Sequence, residues 1–153
     1  MKTNILCSVR ASQESDLAAL LHLESFFSSD RLNKRSLLHL LRRGQADLWV
    51  AEKAKRVIGH GIVFYHCRRT SARLYSLIVS PEVRGQGIGY LLLSFSEERA
   101  KEKGKKGMVL EVWEDNVPAI RLYERAGYQV RERLHEYYED GTSALRLFKN
   151  FSG

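Results

Sequence analysis

The chain has 153 residues, 44% of them hydrophobic and 28% charged, which is the composition of one globular domain with a buried core and excludes a disordered or fibrous chain. No apolar run approaches the roughly 18 residues of a membrane span, and Met1 to Arg10 shows no leader pattern. Twenty-five Lys and Arg against 18 Asp and Glu leave a charge of +7, and the two cysteines, Cys7 and Cys67, form no cluster; this excludes a disulfide scaffold or structural zinc site and fits a reducing cytoplasm.

In chain order, Asn4 to Arg10 is predicted as a first strand. Ser12 is a predicted N-cap, and Leu17, Leu20, Leu21, Glu24 and Phe27 repeat at helical spacing, giving a helix over 13–27. Ser28-Ser29-Asp30 breaks the chain before a second helix near 33–43, ended by Gly44. Residues 46–52 and 57–67 read as strands joined by a turn at Lys53-Ala54-Lys55-Arg56, and 72–80 as a third, stopped by Pro81. A glycine-rich turn over 84–89 leads into a helix from about 88 to 103, which Gly104 and Gly107 terminate. Met108 to Trp113 is a strand, Asn116 caps a helix over 117–126, and strands near 128–137 and 143–150 flank a turn at Asp140-Gly141. The order β-αα-βββ-α-β-α-ββ predicts a single α/β domain. Its mixed sheet of six or seven strands is flanked by about four helices, with parallel pairs joined by right-handed crossovers.

The positive charge concentrates locally: Arg31, Lys34, Arg35, Arg42 and Arg43 fall within 31–43 without one acid. Such a face is either simply solvated or meets an anion. A nucleotide ligand ranks above DNA or RNA, because no nucleic-acid-binding motif accompanies the charge. Arg84-Gly85-Gln86-Gly87-Ile88-Gly89 is neither a dinucleotide fingerprint nor a Walker loop. Its glycines nonetheless allow inward-pointing N–H groups and close ligand approach, and the helix after it adds the positive end of a dipole. That combination would hold a pyrophosphate; the alternative is a plain strand-to-helix turn. Glu111 interrupts an otherwise apolar strand. It is either a functional carboxylate, its pKa raised by burial, or a strand-end glutamate paired with an arginine. Asn116 and Tyr123 are seven positions apart and share one helix face. By pattern alone Tyr123 reads as a core tyrosine. The five histidines have no metal spacing and read as surface or satisfied core residues, and Cys67 as a buried structural thiol.

Several of these segments together resemble one family. Leu77-Ile78-Val79-Ser80-Pro81, Arg84-x-x-Gly87-x-Gly89, Leu110-Glu111-Val112 and the run from Asn116 through Leu122-Tyr123 to Gly127-Tyr128 resemble the GCN5-related N-acetyltransferase (GNAT) family. They look most like its ribosomal-protein-alanine branch. The match covers about 72–147; the first half agrees only in element order. The resemblance implies that Leu77, Ile78 and Val79 offer backbone groups to the pantetheine arm and thioester of acetyl-CoA. Arg84, Gly85, Gln86, Gly87, Ile88, Gly89 and Tyr90 would cradle its pyrophosphate, and Asn116 would hold its pantetheine region. Glu111 matches the family's general base and Tyr123 its general acid, while Tyr137 and Tyr138 match tyrosines near the peptide. No metal is implied. The branch often has a Phe-Pro-Trp-like stretch between its first two helices, where this chain has Phe26-Phe27-Ser28-Ser29-Asp30.

The chemistry this implies is direct attack of an amine on a thioester. The Val79 N–H is the candidate oxyanion donor and the Tyr123 hydroxyl the candidate proton source for the leaving thiolate. An α-amine, pKa about 7.7–8.0, is roughly a tenth neutral at pH 7; lysine is neutral to less than about a thousandth. A weak, water-relayed base therefore suffices for a protein N-terminus. The reading is an acetyl-CoA-dependent N-acetyltransferase acting on a protein α-amine, as a monomer or homodimer with no membrane partner. A small polyamine or aminoglycoside acceptor is the rival, served by an acidic groove from Glu114, Asp115, Glu136, Glu139 and Asp140. A non-catalytic acyl-CoA- or nucleic-acid-binding module is a third reading, against which the retained Glu111 and Tyr123 argue.

Overall fold

A computed structural model of the protein describes residues 7–26, 33–43 and 45–151, with the Arg43 side chain excepted. Asn4 to Leu6, the end of the first predicted helix at Phe27, the Ser28-Ser29-Asp30 break, Arg31 and the Gly44 terminator lie outside the described residues. Among the described residues seven strands, β1 (Cys7–Ala11), β2 (Ala46–Lys53), β3 (Arg56–Phe64), β4 (Ser71–Val79), β5 (Gly107–Trp113), β6 (Gln129–Leu134) and β7 (Ala144–Asn150), form one sheet. Its order is β1-β2-β3-β4-β5-β7-β6. Among the described residues four helices accompany it: α1 (Leu17–Glu24), α2 (Lys34–Arg43), α3 (Ile88–Glu102) and α4 (Val117–Arg125). The predicted element order holds. One correction concerns the pairing: β4–β5 is the sheet's parallel pair, because β7 inserts between β5 and β6 and pairs antiparallel with both.

Period-two alternation along the strands builds two cores. Leu48 and Val50 of β2 and Ile62 of β3 face α1 and α2, meeting Leu20 and Leu37. The alternate residues face α3: Trp49, Ala51 and Ile58 pack on Ile88 and Leu92. Further along the sheet, Ala72, Leu74, Met108, Leu110 and Val112 pack with Leu93, Ala100, Tyr123 and Tyr128.

Local boundaries follow backbone chemistry. The β2–β3 turn places Ala54 and Lys55 at φ 51° and 66°, the left-handed pair that a two-residue hairpin demands. Gln13, not Ser12, caps the first helical segment, a 3-10 turn over Glu14–Asp16. The Gln13 N–H donates to Asp16 Oδ2 at 2.8 Å, while the Ser12 N–H is drawn to Leu48 O at 2.7 Å. Arg10 then grips Asp16 with both terminal nitrogens, at 2.8 and 2.9 Å. The strand predicted to run to Cys67 stops at Phe64, and the turn after it leaves Cys67 exposed rather than buried. The strand predicted to 137 stops at Leu134, where Glu136 turns the chain at φ 48°.

Gly104 ends α3 as predicted, at φ 83°, whereas Gly107 belongs to β5. A Cβ at Gly107 would lie 2.6 Å from the Lys149 carbonyl oxygen and 2.8 Å from Phe148 Cζ. Gly107→Ala is therefore expected to separate the start of β5 from β7 and to cost about 1–3 kcal/mol in a urea titration.

Candidate active site

β4 and β5 pair from Ser71–Gly107 to Leu74–Leu110 and no further. Beyond that point they part. The cause is visible in β4, where Tyr75 is an extra residue between the Val63–Leu74 and Ile62–Ser76 pairs. Such a bulge bends and twists its strand. β4 stays bound to β3 as far as Val79, and β5 stays bound to β7 as far as Trp113, so a gap opens between them.

The hydrogen-bond phase decides which backbone groups face that gap. The Ser80 N–H donates to the Ile58 carbonyl, at 2.8 Å, across the β3 side. Alternation then turns the N–H and C=O of Leu77 and Val79 away from β3, into the gap. Ile78 departs from expectation: its backbone faces β3 opposite His60, and its side chain is buried. On the other wall the Glu114 N–H donates to Ser143 O at 3.1 Å, so the backbones of Glu111 and Trp113 face the gap.

The glycine turn lies at the end of this gap. After the Pro81–Val83 3-10 turn, Gly85 and Gly87 both sit at φ 81°, and Gly87 is the N-cap of α3. The N–H groups of Gly87, Ile88, Gly89 and Tyr90 have no acceptor within the helix. A Cβ at Gly85 would meet nothing within 4 Å, so the loop is open above its backbone. Gly89 matters for packing instead, since a Cβ there would come 3.3 Å from Leu122 Cδ2 and 3.7 Å from Val79 Cγ2. It lets the first turn of α3 approach both α4 and β4. Arg84 Nε reaches the Val79 carbonyl at 3.4 Å, and Lys53 Nζ donates to Gln86 Oε1 at 3.3 Å. This cradle of donors fits a diphosphate. Gly87→Val, forcing a β-branched residue into the left-handed region at a cost of about 1–2 kcal/mol, is expected to raise the acetyl-CoA Kd at least about tenfold by titration calorimetry.

Asn116 caps α4 as predicted, its Oδ1 accepting from the Ala119 N–H at 3.3 Å. Tyr123, on the same helix, is buried beside Leu110 and Val112 and packs edge-on against Tyr128 at 5.8 Å. Burial, and secondarily Tyr138, pushes its hydroxyl pKa above the usual value near 10. The phenol is thus a proton holder across the neutral range. Tyr137 and Tyr138 lie on the β6–β7 loop in edge contact with each other at 5.0 Å, and Tyr138 stands edge-on to Trp113 at 6.4 Å. Trp113 Nε1 in turn donates to the Thr142 hydroxyl, pinning the loop to the end of β5.

Glu111 is only 10% exposed, and both its oxygens are engaged. Oε1 accepts from Arg73 Nη1, and Oε2 accepts from Arg146 Nε at 2.7 Å. Arg146 also donates to Glu132 Oε1 at 3.0 Å. Sequence reasoning anticipated one arginine partner and missed the pair. Their signal was present: Arg73 and Arg146 are charged residues inside apolar strands, Arg146 directly opposite Glu111 on β7 and Arg73 opposite Val109, two residues back on β5. Also missed was a polar trio behind β4, in which Glu24 and His60 are buried and Ser76 partly so. His60 Nε2 lies 3.0 Å from Glu24 Oε2, which accepts from Ser76 Oγ at 3.0 Å. Both ring nitrogens of His60 are buried without a hydrogen-bond partner among the described residues, Nε2 only standing against Glu24 Oε2, so this is not the satisfied core histidine that the sequence suggested. No group of three metal-ligating side chains occurs among the described residues. No described helix is long and apolar enough to cross a membrane.

Comparison with known proteins agrees with this geometry. The sequence profile of the acetyltransferase (GNAT) family matches residues 15–128. The N-alpha-acetyltransferase 30 of Schizosaccharomyces pombe is 41% identical over 81 residues, 52% of this chain and 54% of that protein, so the chain spans about half of that relative's length. A putative ribosomal protein bS18-alanine N-acetyltransferase of Bacillus subtilis is 31% identical over 150 residues, 97% of each chain. The structure of Arabidopsis thaliana NAA60 in complex with acetyl-CoA superposes with a TM-score of 0.85 at 20% identity, covering 96% of this chain and 99% of that one. With its profile, its full-length relative and its divided sheet in agreement, the chain belongs to the acetyltransferase (GNAT) family.

Proposed function

We propose that the chain transfers the acetyl group of acetyl-CoA to the α-amine of a polypeptide. The observation that carries this is the gap between β4 and β5. The backbone edges of Leu77 and Val79, joined to no strand on that side, line one wall and those of Glu111 and Trp113 the other. The α3 N-terminus stands at one end and Tyr123 beneath. Bound with its diphosphate on 84–90, acetyl-CoA supplies an activated thioester. The rest is the work of the chain. The Leu77 and Val79 edges hold the pantetheine amides as a third strand would, and Asn116 contributes its free amide end. The Val79 N–H donates to the oxygen that gains charge, a contribution of about 2.7–4 kcal/mol where such donors have been removed elsewhere. The Tyr123 hydroxyl protonates the departing sulfur. Glu111 receives the amine's proton through water. Two of its roughly four lone-pair sites are taken by Arg73 and Arg146, and two remain.

The polypeptide reading draws on Tyr137 and Tyr138 beside the gap and on relatives named for N-alpha- and ribosomal-protein-alanine acetylation. A polycationic acceptor is less well served: Glu114, one of the acids it would need, is held by Arg133 at 2.7 Å, which keeps its carboxyl below the usual range. The test is free-thiol release from acetyl-CoA with four acceptors: an Ala-starting peptide, the same peptide blocked at its N-terminus but carrying lysine, spermidine and an aminoglycoside. Turnover confined to the free N-terminus is expected. Turnover confined to the small amines would replace the acceptor and leave the cofactor site intact.

A further inference from the structure

Resting on the α-amine reading, we infer that the acceptor is an acidic polypeptide, whose residues following the N-terminus lie in an arginine-lined groove on the α1–α2 side of the sheet. A cavity of about 810 Å³ opens there, with Arg69, Arg73, Arg131, Arg146, His39 and Phe148 in its lining. Four arginines face two carboxylates, Glu132 in the lining and Glu111 beside it. Those two are already matched by Arg73 and Arg146. Arg69 and Arg131 have no acidic partner among the described residues. Arg131 is the extra residue of a bulge between the Val130–Leu147 and Glu132–Arg146 pairs. A bulge re-aims its side chain, and this one lays the Arg131 guanidinium over the Phe148 ring at 4.0 Å. The groove continues along α2, where Lys34 and Arg35 also lack acidic partners among the described residues and His39 is shared between the two hollows.

The groove leads from the transfer point. Glu111 stands where β4 and β5 part, and Val109, two residues back on the same strand face, lines the cavity. At about 3.3 Å per extended residue, an amine held at the gap brings residues two to five of its chain over the arginines. Guanidinium forks match carboxylates in two-point contacts. A single-stranded nucleic acid would want bare aromatic faces for stacking. Here Arg131 already covers Phe148, and Lys103 sits over Tyr65 at 4.6 Å.

The experiment compares kcat/KM for peptides with a free Ala N-terminus and Asp/Glu, Ser/Gly or Lys at positions two to five. The acidic series is expected to exceed the neutral one about tenfold or more through KM, and the lysine series to fall below it. The preference should shrink in 0.5 M salt, where the screening length falls to about 4 Å. Arg69→Glu with Arg131→Glu is expected to reverse the order toward the lysine series, and retained acetyl-CoA affinity verifies that this variant is folded. Equal kcat/KM across the series, or faster lysine peptides with the unmodified protein, would overturn the acidic-acceptor inference and leave the α-amine reading standing. Stronger inhibition by a single-stranded oligonucleotide than by an acidic peptide of equal charge would also overturn it. Silence with every free N-terminus, alongside turnover of spermidine, would remove both.

Discussion

Tyr123→Phe is expected to lower turnover about 10²–10³-fold, the range for loss of a positioned proton donor, while the acetyl-CoA Kd moves less than about threefold. The substitution keeps the ring that packs against Tyr128 and the Leu110–Val112 cluster, so stability should change by about 1 kcal/mol or less. Steady-state kinetics and calorimetry separate the two effects. A turnover within about threefold of the parent would reject the acid assignment. The pH profile adds a second check. Burial raises the Tyr123 pKa above its ordinary value near 10, so the proton is retained as pH climbs and is lost only above that value. The profile should therefore show no falling limb from this tyrosine below pH 10.

Glu111→Gln is expected to cost about 10²-fold at pH 7 and progressively less toward pH 9, because a rising fraction of the acceptor amine is neutral without help. A merely structural role would lower activity equally at every pH. Structural loss will accompany it, since Arg73 and Arg146 lose their shared carboxylate. Those arginines are 38% and 28% exposed, so water compensates in part. The cost should be about 1–3 kcal/mol rather than that of a sealed ion pair, seen as a drop in Tm of roughly 2–4 °C per kcal/mol. A pH-independent loss would make Glu111 the holder of the arginines and remove it as base.

The elements that position these residues were legible because each carried its own local signal. The hairpin at Ala54-Lys55, the Asn116 cap and the Gly85–Gly89 turn announce themselves in the residues that must adopt those conformations. Tertiary competition hid the rest. Ser12 is a better cap than Gln13 by propensity, yet its N–H is taken by β2 and Arg10 fixes Asp16 from outside the helix. Gly107 looks like a helix terminator because nothing in the sequence shows that Lys149 and Phe148 crowd it. The site divides in the same way. Leu77, Val79, Glu111 and Tyr123 are proposed as site residues through the family motifs they match. The bulge at Tyr75, which opens the gap, and the convergence of Arg73 and Arg146 on Glu111 depend on strand register, to which no short motif points.

The most direct test of acetyl transfer to an α-amine uses one peptide with a free N-terminal Ala and one internal lysine, incubated with the protein and acetyl-CoA and fragmented by mass spectrometry. A single acetyl group on the N-terminal nitrogen is the expected result. An acetyl group on the lysine side chain with the N-terminus left free would contradict the account.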